Sequence, residues 1–218
     1  MKQLWKKEWR LCLHPAVPLF LLLSALILVP NYPYAVCFFY LTLGIYFTCL
    51  AGRENHDLAF TLSLPVSRGD IVTARFLMCG ALEVCQILLA GLVILLRERL
   101  LGGAPNAAGM DANLALPGEG FLLFGLFNLL FFPAWYRDVN KLGVPFLRAS
   151  AAVFLFVVAA VVSTYALPFV RDVLDTPDPA HLGAKAAFTA ACAGVYLLLS
   201  CLSFRLSRRR FEHQDLQV

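Results

Sequence analysis

The sequence predicts an all-α integral membrane fold, one transmembrane domain over 1–218, and three observations carry that prediction. The chain is 60% hydrophobic and only 15% charged, where a soluble domain carries about a quarter charged residues. Its mean hydropathy is +0.74, and the apolar residues are gathered into runs that approach or exceed the roughly 20 residues needed to cross about 30 Å of hydrocarbon. Lysine and arginine are dense in every second loop and sparse in those between, which is how short loops set membrane orientation. Inside lipid each backbone N–H and C=O must be paired within its own segment, so such runs are helices.

Six spans are expected, over 14–29, 33–51, 71–96, 120–135, 147–170 and 183–204. The first is short, and Pro15 and Pro18 are tolerable because they sit in its opening turn. With both termini in the cytoplasm, all but four of the 18 lysines and arginines fall on the inner side, the exceptions being Arg97, Arg99, Arg171 and Lys185. An odd number of spans breaks that alternation. The expected location is therefore the cell membrane, multi-pass, and the formal charge of +4 reports orientation. It does not indicate nucleic acid.

Outside the spans, MKQLWKKEWRLCLH winds into an amphipathic helix. Leu4, Trp5, Trp9, Cys12 and Leu13 share one side, and Gln3, Lys6, Lys7 and Arg10 the other. A basic helix with tryptophans of this kind lies in the headgroup plane. Pro30-Asn31-Tyr32-Pro33 lacks the small-x-small pattern of a leader-cleavage site, so no cleavable signal is expected. The outer loop from Arg97 to Glu119, rich in Gly, Ala, Asn and Pro, reads as irregular. The tail RLSRRRFEHQDLQV reads as a basic stop followed by a polar end.

Seven cysteines (12, 37, 49, 79, 85, 192 and 201) lie mostly inside apolar runs without metal-type spacing, so they read as small buried hydrophobes. No GxxxxGK[ST], HExxH, GxGxxG or CxxC is present, and His14, His56, His181 and His213 are scattered over different loops. Nothing here points to an enzyme, a cofactor or a metal.

Two places carry functional information. The segment Arg53 to Leu77 is a charged, Pro-broken insert that must face water, yet Leu58, Phe60, Leu62 and Leu64 are too apolar for an idle connector. Leu58 and Leu62, four apart, stack on one face of a short helix that Pro65 ends. Ser67 to Asp70 is an S-x-x-D capping pattern at the start of the third span. The second place is Glu83, midway along that span. A carboxylate there costs on the order of 3 kcal/mol, which the surrounding Leu, Ile, Val and Phe offset at about 0.3–0.6 kcal/mol each. Glu83 therefore enters the membrane but avoids lipid, and Cys79, Gly80, Gln86 and Ala90 share its face. Glu83 and Gln86 read either as gating or path residues or as hydrogen-bonding glue between helices.

The stretch Leu64, Pro65, Val66, Ser67, Arg68, Gly69, Asp70, Ile71, Val72, with the leucine-rich run before it and the six-span plan around it, resembles the permease subunit of a type-2 ATP-binding-cassette (ABC) transporter, in the small bacterial group. The resemblance implies an exporter in which two permeases, identical or not, form the path and a separate ATPase subunit supplies the energy. It implies that the loop between spans two and three is a cytoplasmic coupling helix, and that Glu54, Asp57, Leu58, Phe60, Leu62 and Leu64 dock on the ATPase. The other reading open to the sequence is a membrane assembly or anchoring factor, or a membrane enzyme without a recognised motif.

Overall fold

The protein is described by a computed structural model over residues 2–102 and 105–213, and no β-strand occurs among the described residues. Helix α1 (Lys2–Lys7) runs into a π-helical turn over Glu8–Cys12. Helix α2 (Ala16–Leu22), continued as a 3₁₀ stretch over Leu23–Leu28, leaves it at a bend of 85°. Then follow α3 (Ala35–Glu54), the short α4 (Asp57–Leu62), α5 (Arg68–Leu101), α6 (Leu116–Trp135), α7 (Gly143–Ala166) and α8 (Leu182–Glu212).

Five of these, α3 and α5 to α8, are each long and apolar enough to cross a membrane, and a sixth span is reached when the bent pair Lys2–Cys12 and Ala16–Leu28 is taken as one. The expected first span is short: Ala16–Leu28 rises about 22 Å, at about 1.5 Å per residue in its α-helical part and about 2.0 Å in its 3₁₀ part. Pro15 caps it, as its position in the opening turn foresees.

Helix α6 is the centre. Within its most apolar stretch 72% of the residues are buried inside the chain, against 17% for α7 and for α8, so the latter two offer most of their surface to the surroundings. α6 packs most extensively on α8, and glycine makes the approach close. A Cβ on Gly125 would stand 3.2 Å from the Tyr196 backbone. On the other side a Cβ on Gly120 would meet Phe38 and Ile87 at 2.8 and 2.7 Å, so three helices converge where only hydrogen fits.

Several expectations are corrected. The fourth span starts at Leu116 rather than 120, which puts Glu119, buried, in its first turn. The third runs to Leu101, so Arg97 lies inside a helix; it is 2% exposed, donates to the Ile27 carbonyl at 3.1 Å and stands over the Tyr34 ring at 5.2 Å. The fifth ends at Ala166 and the sixth continues to Glu212. Residues after 213 of the expected polar tail lie outside the described residues. Cys85 and Cys201 are exposed, because a thiol in an apolar run can face lipid as cheaply as protein.

The loop expected to be irregular carries neither helix nor strand over 105–115, while its ends at 97–101 and 116–119 belong to α5 and α6. Asn106 Nδ2 donates to the Tyr32 and Met110 carbonyls at 3.0 and 3.2 Å. Asn113 Nδ2 reaches the Leu174 and Thr176 carbonyls at 2.7 and 3.0 Å. Lys185, fully buried, donates to Thr176 O at 2.6 Å and pairs with Asp178 at 2.8 Å. Side-chain amides thus satisfy backbone groups that no regular structure pairs. Burial pushes the neighbouring Asp175 carboxyl up to about 6, although the Asp111 N–H donates to it at 2.6 Å.

Candidate functional site: a charge cluster beneath the short helix, and a polar cluster in mid-membrane

Local sequence rules place α4. Helix α3 ends at Asn55, and the chain reverses at His56, whose φ of 52° is left-handed. α4 then runs one and a half turns. The Ser67 side chain accepts from the Asp70 N–H at 3.1 Å while the Asp70 carboxylate accepts from the Ser67 N–H at 3.3 Å. This reciprocal cap starts α5 where the S-x-x-D pattern put it.

Leu58 and Leu62 do share a face of α4, but that face is the inner one. Both are half-buried and packed on the core, whereas Phe60 and Leu64 are exposed, as is Glu54. Asp57 also turns inward. Its Oδ2 accepts from Arg75 Nη2 at 3.2 Å and its Oδ1 pairs with Lys7 Nζ at 2.7 Å. Arg75 Nε in turn holds Glu8 Oε2 at 2.7 Å, and Lys7 donates to Thr61 Oγ1 at 2.6 Å. Arg75 and Glu8 are 2% and 1% exposed, and the guanidinium stands 6.0 Å from the centre of the Trp135 ring. Two acids and two bases thereby tie the N-terminal helix, the short helix and the third span into one knot.

Glu8, Cys12 and Asp57 approach closely enough to share an ion. Both carboxylates, however, already face Arg75 and Lys7, so cations occupy the place a metal would take. Beside the cluster lies a cavity of about 170 Å³ bounded by Gly52, Asp57, Leu58, Leu62, Arg75 and Trp135. α4 thus rests partly on ion pairs and partly on a void, a support that can shift more easily than a packed core.

Sequence reasoning missed this cluster. It counted Lys7 and Arg75 as orientation charges and passed over Glu8. One signal was present: Glu8 falls at four-residue spacing with Leu4 and Cys12, and all three are buried. The π-helical turn begins at Glu8, a distortion often found at functional sites.

In mid-membrane, Tyr196 OH donates to Glu83 Oε2 at 2.6 Å and Asn128 Nδ2 donates to the same oxygen at 3.1 Å. Asn128 Nδ2 also reaches Ser200 Oγ at 3.2 Å, and Ser203 Oγ donates to the Asn128 carbonyl at 2.5 Å. Glu83 therefore joins α5 to α6 and α8. Gln86 points elsewhere, its Nε2 donating to the Cys37 carbonyl of α3 at 2.7 Å. Glu83 Oε1, Gln86 Oε1 and Asn128 Oδ1 are buried without a partner. Of the predicted face, Cys79 and Ala90 are buried and Gly80 stands 3.7 Å, by its would-be Cβ, from Tyr196 OH.

Residues 3–211 match the family described as ABC-2 family transporter protein. No curated protein and no solved structure matches the chain.

Proposed function

This chain belongs to the ABC-2 transporter family, as a membrane permease subunit, and from that premise we propose that it is the path-forming half of an exporter driven by a separate ATPase subunit that docks on α4. The observation that carries the docking assignment is the split of α4 into two faces. Leu58, Leu62 and Asp57 hold it to its own chain, while Phe60 at 61% exposure and Leu64 at 40% stand out, and Glu54 at the end of α3 is exposed as well. Large exposed apolar side chains next to a charged rim are what a protein partner covers. Phe60 and Leu64 then make the contact, and Leu58 and Leu62 shape the helix that carries them.

The family implies an ATPase partner in general. Export, a second permease copy or homologue across the path, the cytoplasmic position of both termini and of α4, and the headgroup-plane position of α1 belong to this proposal. Export rests on the resemblance of Leu64–Val72 to the small bacterial permeases, and the orientation rests on the lysine and arginine distribution. A push on α4 passes through Asp57 to Arg75 and so into the third span. Lys7 and Glu8 bind the N-terminal helix to the same movement.

Phe60→Asp combined with Leu64→Asp is expected to release the ATPase subunit during co-purification, while the permease stays in the membrane at wild-type level. Each buried apolar anchor of this kind carries about 2 kcal/mol or more of binding, so the pair reduces recovery at least tenfold. Leu58→Asp should instead lower permease yield, because it disrupts the inner face. Undiminished recovery of the ATPase with the double variant sinks the docking assignment, and labelling of a cysteine at Leu64 from outside intact cells sinks the orientation.

A further inference from the structure

A trough runs along the outer surface between α5 and α8. Leu77, Ala81, Val84 and Leu88 of α5 line one wall at helical spacing, with Gly80 and the Tyr196 ring as its floor. Leu77 and Ala81 also border a second hollow whose remaining walls are Lys2 and Trp5 of α1, so the two adjoin on the surface of α5. Leu77 is 53% exposed, Val84 44% and Leu88 64%. None of the residues bounding it is acidic.

We propose that this trough holds a glycerophospholipid with an anionic headgroup, its phosphate on Lys2 and one acyl chain laid along α5. Three features select that occupant. From Leu77 to Leu88 the helix rises about 16 Å at 1.5 Å per residue, a length comparable with one acyl chain in a bilayer whose hydrocarbon is about 30 Å thick. Trp5 stands at the same end as Lys2, and tryptophan belongs at the boundary between headgroups and chains. The polar end is basic, with Lys6 exposed one turn along α1, and juxtamembrane lysines attract acidic lipid. An apolar wall ending in a tryptophan and a lysine matches an amphiphile. A second copy of the chain would more naturally meet the broad apolar face of α7, where Phe154 and Leu155 are each 67% exposed.

The floor gives the lipid a consequence. The Tyr196 hydroxyl holds Glu83, so a chain seated against that ring braces the bond that joins α5 to α8 in mid-membrane. This lipid site rests on the headgroup-plane position of α1 proposed above and is independent of ATPase docking.

The test is photo-crosslinking of the full chain in vesicles of phosphatidylglycerol or of phosphatidylcholine, each carrying a trace of the same lipid with a diazirine in mid-chain. We expect residues 77–88 to be labelled about fivefold more from phosphatidylglycerol, the factor one lysine near an anionic headgroup supplies. Lys2→Gln should level the two vesicles, and Ala81→Phe, which fills the trough from an exposed position, should remove the label there while residues 154–162 keep theirs. Equal labelling of 77–88 and 154–162 in both vesicles overturns the proposal in favour of bulk lipid. Absence of label on 77–88 together with a Cys85–Cys85 disulfide between chains overturns it in favour of a second copy.

Discussion

Replacing Arg75 by methionine is expected to cost the permease about 3 kcal/mol of stability, the low end of what breaking one partner out of a buried ion pair costs. Methionine has nearly the length of arginine, so the space is largely refilled and the loss is electrostatic. Glu8, 1% exposed, then has Lys7 at 3.4 Å and the Cys12 thiol at 3.8 Å in place of the guanidinium, and Asp57 loses one of its two cations. The measurement is thermal melting in detergent, read with ATP hydrolysis by the reconstituted complex. Hydrolysis should become insensitive to the permease, because the tie from α4 to α5 runs through that guanidinium. Arg75→Lys should rescue poorly, since one ammonium does not span Glu8 and Asp57 as a planar fork does. Adding Glu8→Gln to the methionine variant should recover much of the melting temperature, because the stranded charge is gone. Wild-type melting in the single variant would show that the cluster does not hold these helices.

The second large effect is expected at Glu83. Glu83→Leu removes the carboxylate oxygen to which the Tyr196 hydroxyl and Asn128 Nδ2 both donate, and of these Asn128 Nδ2 keeps Ser200 Oγ. Interhelical bonds in membranes average about 0.6 kcal/mol and reach about 1.7, so the two together set a loss of about 1–2 kcal/mol in melting. Glu83→Gln keeps an acceptor for both donors and should melt close to wild type. Assembly with the ATPase should survive either change, and turnover should fall further with leucine than with glutamine. Turnover that drops with glutamine while melting holds would mark Glu83 as part of the path. Wild-type turnover with leucine would remove it from the transport machinery, and loss of assembly with glutamine would give it a larger structural part than two hydrogen bonds supply.

Burial also explains why Glu83 was legible early and Glu8 was not. A carboxylate in the middle of MCGALEVCQIL stands out against its neighbours, and hydrophobic cost alone requires a partner for it. The partner itself was not legible: Tyr196 lies 113 residues further along, and nothing near Glu83 names it. Glu8 sits among Lys6, Lys7 and Arg10 in a segment that reads as wet. Its burial comes from the way the π-helical turn that it begins packs against α3 and α5.

The sequence by itself determined the membrane class, five helices long and apolar enough to cross, the shorter helical piece before them, the place of α4 and the cap at Ser67 and Asp70. Each depends on interactions within a few residues: backbone pairing inside one segment, transfer of that segment into hydrocarbon, a side chain bonding the N–H three positions on. Only the tertiary structure decided which face of α4 is free, which thiols face outward, and that Lys7, Glu8, Asp57 and Arg75 meet. Those outcomes rest on helix crossings fixed by close approach at glycines such as Gly120 and Gly125. In lipid an apolar side chain gains about as little from turning inward as outward, so hydropathy marks the span and leaves its facing open.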